Sequence, residues 1–571
     1  MFPVFLLVLY TLASASQIPF QNPGSATSTV ESGWNNLASA KDANFTGHLI
    51  FDTTNSLLHR WPNTRYRNGT SLPFRTIVIH FLNICRPHDR LWLHSHRHTA
   101  IPRPRRQLPP PTVPEWTATD PEHAFNFCRD SSIVNNSISG CWQLTLVTTR
   151  PLSVLYFDGS SAAKMGDGPL DAQDLLIFGK IDPGRARDAR ARINGLCAWG
   201  REFGIDGYVR MQVNFEVMLC GFSNGVELLS ADYLAAWLKG IKPPALSGAM
   251  QASFPGRPNT YPSFQALELR RFETILSGSW HNRYPGETRI HLDLTRLISF
   301  YDTSLAPSLI AQREGKERWD HRLLGISAAD MAAVNSRLRA MLVSDIDIGS
   351  GVDWKTLFHV VVDRYADRLE TLAYLLNTTT PANLRQRTRT IQTHLRVILT
   401  PYLHYSARPH SIGGSNGTDH AWALPVWHAC TTTHTAHIHR NPTLHSQLTD
   451  SERVLLDALD GTNKEICRVV VRMWTAGVYG GLDAFISGNE NRLTSTLVRI
   501  LGEWRTDAHA LMAWLDWSVW VKCRPMCSPE EMCYLPTYPY FGILDPARRD
   551  DERWKRPQPR CIRRFEPYSE L

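Results

Sequence analysis

Three carboxylates and two bases fall close enough in this sequence to invite acid–base chemistry. Asp158 ends an apolar run and enters Gly159-Ser160-Ser161, with Lys164 just beyond; Asp206 precedes an alternating stretch whose polar positions include Arg210 and Glu216. Two carboxyl groups at neighbouring strand ends, one perturbed by a basic neighbour, are what a glycosidase-like hydrolase uses to donate and accept protons. The structural alternative gives Asp158 the backbone amides of its own turn, leaves Lys164 solvated and pairs Arg210 with Asn214 or Glu216. Ser160 and Ser161 are not in a G-x-S-x-G elbow, and no glycine-rich phosphate cradle occurs. No cofactor is implied.

Two further constellations have bland alternatives. Trp116 followed by Asp120-Pro121-Glu122-His123-Ala124 loosely resembles the middle of ADP-ribosyltransferase-like folds, where such a motif opens a helix beside a nicotinamide pocket. The alternative is a capped helix, with Thr119 or Asp120 as cap, Pro121 at the first position and Glu122 in the first turn. His94, His96 and His98 alternate, and His428, His434, His437 and His439 crowd a stretch without periodicity that reads as a loop of solvated histidines. No metal is assigned to either.

The elements that would position these residues form an α+β pattern: a small mixed α/β sheet domain followed by a larger mainly helical region. Trp142 to Thr149 and Leu152 to Phe157 read as strands split by Arg150-Pro151, and Arg185 to Phe203 as a helix ended by Gly204 and Gly207. Tyr208 to Cys220 alternates apolar and polar residues, the pattern of one strand with a buried face and a solvated face. Pro243 to Pro262 reads as a linker. Beyond it, Asp353 to Leu376, Leu384 to Leu399, Ser451 to Trp474, Leu493 to Trp504 and Asp507 to Trp520 carry helical spacing, with Ser327 and Ser451 at N-cap positions. Trp474, Trp504, Trp514, Trp517 and Trp520 read as helical core. The expected organisation is a signal peptide over 1–15, a polar leader and an anomalous segment over 16–111, the sheet domain over 112–242, a linker over 243–262, and a helical domain with a cysteine-rich tail over 263–571.

Residues Phe2 to Leu12 are apolar and Ala13-Ser14-Ala15 fits signal peptidase, so the chain is expected to be exported. No later run of uncharged apolar residues is long enough to span a bilayer. Asn44, Asn68, Asn135, Asn377 and Asn416 each open an N-x-S/T triplet and become glycosylation sites in that setting. Eleven cysteines leave one odd. Spacing suggests Cys128 with Cys141, Cys197 with Cys220, Cys430 with Cys467, and two bonds among Cys523, Cys527, Cys533 and Cys561. The net charge of +8 is concentrated in six arginines between Arg86 and Arg106, so it does not describe a nucleic-acid surface. Partners are unknown from sequence.

That arginine-rich stretch, Ile84 to Pro110, also carries the odd Cys85 and has no period. Re-read one base later, Arg97 to Arg103 can encode Gly-Thr-Leu-Leu-Tyr-His-Gly, a strand and a turn. A frame slip there predicts a strand missing from the sheet and Cys85 unpaired.

The run VLYFDGSSAAKM (Val154 to Met165), with PEWTATDPEHAFNFCRD, LDAQDLLIFG, LCAWGREFGIDGYVRMQVNFEVMLCGF and CRPMCSPEEMCYLPTYPYFG, resembles a family of uncharacterised fungal secreted or membrane-associated proteins. The resemblance spans about Pro114 to Gly542. It implies an exported fungal glycoprotein and carries no known activity.

Overall fold

A computed structural model describes residues 17–20, 46–66, 71–77, 90–95, 110–125, 133–134, 137–138, 142–233, 274–343, 349–378, 383–409, 421–483, 494–537 and 552–563. The chain forms two compact units that interleave in sequence. One takes Ser56–Phe300, Arg322–Asp347 and Lys522–Leu571; the other takes Met1–Asn55, Tyr301–His321 and Ile348–Val521. A mixed sheet is followed along the chain by a mainly helical region, as the sequence pattern indicates.

The first unit is built on a nine-stranded sheet. Its strands are β1 (Ser71–Ile77), β2 (Arg90–Ser95), β3 (Glu115–Ala118), β6 (Trp142–Thr148), β7 (Leu152–Tyr156), β8 (Gly207–Met211), β9 (Phe215–Leu219), β10 (Val226–Tyr233) and β11 (Leu297–Ser299). The pairs β4 (Ile133–Val134) with β5 (Ser137–Ile138), and β12 (Glu531–Tyr534) with β13 (Arg560–Arg563), stand apart from it. The order across the sheet is β10-β6-β2-β3-β9-β8-β7-β1-β11. All neighbours are antiparallel except β7 and β8, whose parallel pairing puts Val154 opposite Gly207. A parallel neighbour needs a crossover, and helices Asp171–Phe178 and Ala189–Gly200 supply it. Gly207 is required there: a Cβ would lie 2.3 Å from the Met218 carbonyl oxygen of the facing strand.

Two expectations are corrected here. The stretch from Tyr208 to Cys220 is a hairpin, not one strand, with Arg210 opposite Glu216 and Met211 opposite Phe215. Both faces of that hairpin are covered. On one, the Tyr208 hydroxyl donates to Leu196 O and Arg210 to Gln173; on the other, Phe215 meets Tyr156 and His281. The polar alternation is therefore interior: Arg210, Asn214 and Glu216 are buried. The sheet also has no gap where a frame slip predicts one. Strand β2 fills the place between β6 and β3, while Cys85 and Arg97 to Arg103 lie outside the described residues.

The cysteine-rich tail belongs to this unit. Met532, Tyr534 and Ile562 of the β12–β13 hairpin pack with Val213 and Ile275. Bonds Cys523–Cys533 and Cys527–Cys561 staple it, and Cys197–Cys220 ties a helix to the end of β9. Cys128 and Cys141 lie outside the described residues.

In the second unit, helices Trp354–Asn377, Leu384–Leu399, Asp450–Tyr479 and Thr494–Leu515 share an apolar core. Trp474, Trp504 and Trp517 are almost wholly buried in this unit. Asp450–Tyr479 begins at Thr449, not Ser451: Thr449 and Glu452 form a reciprocal capping box. The stretches expected as two helices at 493–504 and 507–520 are one helix followed by a short turn, Ser518–Trp520. Ser327 caps helix Ala328–Val343 of the sheet unit through the Asp330 amide at 3.0 Å. The histidine-rich stretch is helical and not a loop, over Leu424–Thr432 and Ala436–His439, and Cys430–Cys467 fixes it to the long helix. The expected polar leader contributes helix Gly47–Ser56, whose Leu49, Ile50 and Phe51 are core. No helix among the described residues is long and apolar enough to cross a membrane.

Candidate functional site

The carboxyl ends of β7 and β8 are where an α/β-type crossover leaves room for chemistry. Here that end is filled. Gly159, at φ +67°, turns the chain after Asp158, and its amide donates to Asn63 Oδ1 at 3.1 Å. Ser160 Oγ donates to Thr64 O at 2.9 Å, Ser161 Oγ to Phe157 O at 2.6 Å, and the Ala162 amide to Met211 O at 3.0 Å. Gln173 Nε2 donates to Ser161 O at 2.7 Å. Asp158 is buried within this turn and Lys164 is exposed beyond it. The Asn63 amide donates to the Tyr156 hydroxyl, and Arg60 Nη1 to Asn214 Oδ1 at 2.7 Å. The short helix Arg60–Thr64 thus lies over the strand ends as a lid of hydrogen bonds.

The five sequence candidates do not converge. Asp206 sits at the opposite end of the parallel pair, where it accepts from Arg150 Nη1 at 2.8 Å and Nη2 at 2.7 Å and from the Ser153 amide at 2.8 Å. From the register of Val154 with Gly207, Asp206 and Asp158 are about five residues apart along the strands, roughly 16 Å. Paired glycosidase carboxylates stand about 5 to 9.5 Å apart. Glu216 lies two strands from Asp158, roughly 10 Å on strand spacing alone, and its carboxylate holds the Arg210 guanidinium, with Nε to Oε1 at 3.0 Å. Arg210 Nη1 also reaches Gln173 Oε1 at 3.2 Å. That arrangement is the structural alternative: an ion pair across a hairpin.

A second polar centre was not legible in the sequence. His281 Nε2 and Glu287 Oε2 are 2.8 Å apart, both fully buried. Arg289 closes on the same carboxylate, with Nε to Oε1 at 2.7 Å and Nη2 to Oε2 at 2.5 Å, and its Nη1 donates to Thr119 O at 2.6 Å. Burial alone would raise the Glu287 carboxyl, but the hydrogen bonds from Arg289 and His281 outweigh it and hold the pKa at about 2. His123 is buried nearby. Desolvation drives its pKa down, opposed by the charges of Glu216 and Asp120. His281, Glu287 and Arg289 fall within nine residues of one stretch but in no recognised motif, and His123 comes from the distant helix Pro121–Phe125.

A cavity in the same unit, lined by Arg60, Val213, Ile275 and Tyr534 among others, is about 10 Å³. It holds one water at most. The cluster is an internal brace. Elsewhere, Cys523, Cys527 and Cys561 come within metal-sharing distance, but all three sulfurs are in disulfides. His439 pairs with Asp460 at 2.6 Å, and burial holds His434 down to about 4. Of the five N-x-S/T asparagines, Asn377 is described, exposed at the end of its helix; Asn44, Asn68, Asn135 and Asn416 lie outside the described residues.

Residues 134–245 match a family model described as the YPL277C N-terminal domain. The VLYFDGSSAAKM run falls inside those residues. Two proteins of Saccharomyces cerevisiae (strain ATCC 204508 / S288c) are similar. Uncharacterized protein YOR389W is 30% identical over 278 residues, covering 41% of this chain and 42% of the relative. Uncharacterized protein YPL277C is 29% identical over 278 residues, covering 41% of this chain and 53% of the relative. The chain thus spans about half the length of the curated relatives it matches. No solved structure matches. These likenesses support kinship with uncharacterised fungal proteins, which is the sense the sequence landmarks carry.

Proposed function

We propose that this chain is an exported fungal glycoprotein whose sheet unit serves as a stapled scaffold and not as a carboxylate hydrolase. The observation that carries export is the cystine framework. Four bonds, Cys197–Cys220, Cys430–Cys467, Cys523–Cys533 and Cys527–Cys561, are distributed over both units. Such bonds persist in oxidising compartments and are rare where glutathione keeps thiols reduced. The apolar N-terminal run with its Ala13-Ser14-Ala15 site and the exposed Asn377 agree with that setting. The scaffold reading rests on Asp206 and Glu216 each being held by an arginine and on the filled strand ends.

The test is expression in a fungal host with the native N-terminus. The expected product leaves the cell, begins near Ser16 and loses mass on endoglycosidase treatment. A product that stays in the cytosol, keeps Met1 and carries no glycan would overturn the reading.

A further inference from the structure

The cysteine-rich tail holds two disulfides side by side. In the β12–β13 hairpin, Met532, Tyr534 and Ile562 face the core, so strand alternation turns Cys533 and Cys561 to the outer side. These two cysteines are directly opposite in the register, yet they are not bonded to each other. Cys533 pairs with Cys523 and Cys561 with Cys527, across sequence separations of 10 and 34. The sulfurs of Cys523, Cys527 and Cys561 all lie within 4.8 Å of one another. One sulfur of the first bond thus stands beside both sulfurs of the second.

Exposure sets this pair of bonds apart. Cys430 and Cys467 are 1% and 0% exposed, and Cys197 is buried. All four tail cysteines are half-buried, and the loop joining Cys523 to Cys527 carries Met526 at 91% exposed. Exposed disulfides are the labile ones that thiols reach, whereas buried ones serve as inert staples. The backbone also admits a second pairing. Opposite residues of an antiparallel ladder stand about 4.5 to 5.5 Å apart at Cα, within the span of a disulfide. Cys533 can therefore bond Cys561 with the hairpin unchanged, and the sulfurs of Cys523 and Cys527 are already neighbours.

We propose that this tail is a thiol–disulfide exchange centre that oxidises external dithiols. One thiolate of the dithiol attacks Cys523 Sγ, forming a mixed disulfide and breaking Cys523–Cys533. The electron pair leaves on Cys533 Sγ, which accepts the Cys523 backbone amide at 3.1 Å, a hydrogen bond that favours the thiolate. The dithiol's second thiol then attacks the mixed disulfide, closing the dithiol's own bond and freeing the Cys523 thiolate. Cys523 Sγ attacks Cys527 Sγ, within 4.8 Å of it, so that Cys523–Cys527 forms and the electron pair of Cys527–Cys561 passes to Cys561. Two electrons and two protons have moved from the dithiol to Cys533 and Cys561, and a glutathione disulfide in the medium takes them up again. The activity goes beyond export and needs only that the bonds are formed.

The test treats the full-length oxidised protein with one equivalent of dithiothreitol and blocks free thiols with N-ethylmaleimide. Cleavage at methionine and then with trypsin maps the bonds, since Met526 and Met532 separate Cys523, Cys527 and Cys533. The expected product carries Cys523–Cys527 with Cys533 and Cys561 blocked, while Cys197–Cys220 and Cys430–Cys467 stay closed. In a second arm, catalytic amounts of the protein should speed oxidation of a dithiol peptide by glutathione disulfide. Cys523→Ala with Cys533→Ala, which keeps the Cys527–Cys561 staple, should return that rate to background. Native pairs alone among the tail products, all four bonds opened together, or no catalysis by the parent protein would overturn the proposal. The bond map uses the parent chain only, so it decides even where the variant fails to fold.

Discussion

An arginine and a glutamate that face each other inside a protein are costly to separate. Arg210 and Glu216 are 3% and 6% exposed, so removing either charge leaves the other in a medium that cannot solvate it. Glu216→Gln should therefore cost about 3 to 5 kcal/mol in urea unfolding, while Arg210→Met with Glu216→Leu should recover most of the loss. A catalytic Glu216 would give a different result, with loss of a detected activity and little change in stability. Acid should act on other residues. The His321 pKa is held at about 3, by burial first and then by the charges of Arg313 and Arg318. The unfolded chain takes up that proton near 6.5 and the folded chain does not, so stability falls as pH drops from about 6.5 toward 3. His434 adds to the same early loss. Glu287, at about 2 folded against 4.5 unfolded, stabilises fully above about 4.5. Its contribution of roughly 3 kcal/mol fades as pH falls toward 2. Urea midpoints measured from pH 7 to 2 should decline in those two stages, and His321→Phe should flatten the first. A flat profile between 6.5 and 4.5 would contradict the buried-histidine assignment.

Among the elements, the helices were legible because their apolar spacing survives any packing partner. Leu384 to Leu399 is read from the sequence with the same bounds that the structure gives. The hairpin was not legible. The turn between β8 and β9, Gln212-Val213-Asn214, has neither glycine nor proline, and an alternating pattern runs through it unbroken. Alternation also says which residues share a face but not whether that face meets water. Here helices cover one side and loops the other, so the polar face became a buried ion pair in place of an open cleft. Ser451 was misplaced as a cap for a related reason: Thr449 and Glu452 satisfy each other three residues apart, a pairing that begins two residues earlier. Thr449→Ala should cost about 1 kcal/mol by thermal unfolding. Gly477→Ala should cost more, about 1 to 3 kcal/mol, because its Cβ would fall 1.8 Å from Gln392 Oε1 and 2.9 Å from Trp504. A Gly477→Ala protein as stable as the parent would mean that the helices pack differently there.

At the scale of the whole molecule, the chain does not fold in the order it is written. Helix Gly47–Ser56 joins helices some three hundred residues later, and the tail after Lys522 returns to the sheet unit. Composition and periodicity cannot see such returns, and cysteine spacing does not either, because each of the four bonds closes within one segment. Cys197 with Cys220 and Cys430 with Cys467 follow from proximity in sequence, and the two tail bonds required the fold to choose their partners. Those bonds link the architecture to the compartment, so they offer the most direct measurement of the central claim. Protein isolated from a fungal host without reductant should be alkylated before and after reduction and weighed intact. Cys197, Cys220, Cys430, Cys467, Cys523, Cys527, Cys533 and Cys561 should all be protected before reduction and all labelled after it. Native protein with these eight cysteines labelled at the outset would contradict export to an oxidising compartment.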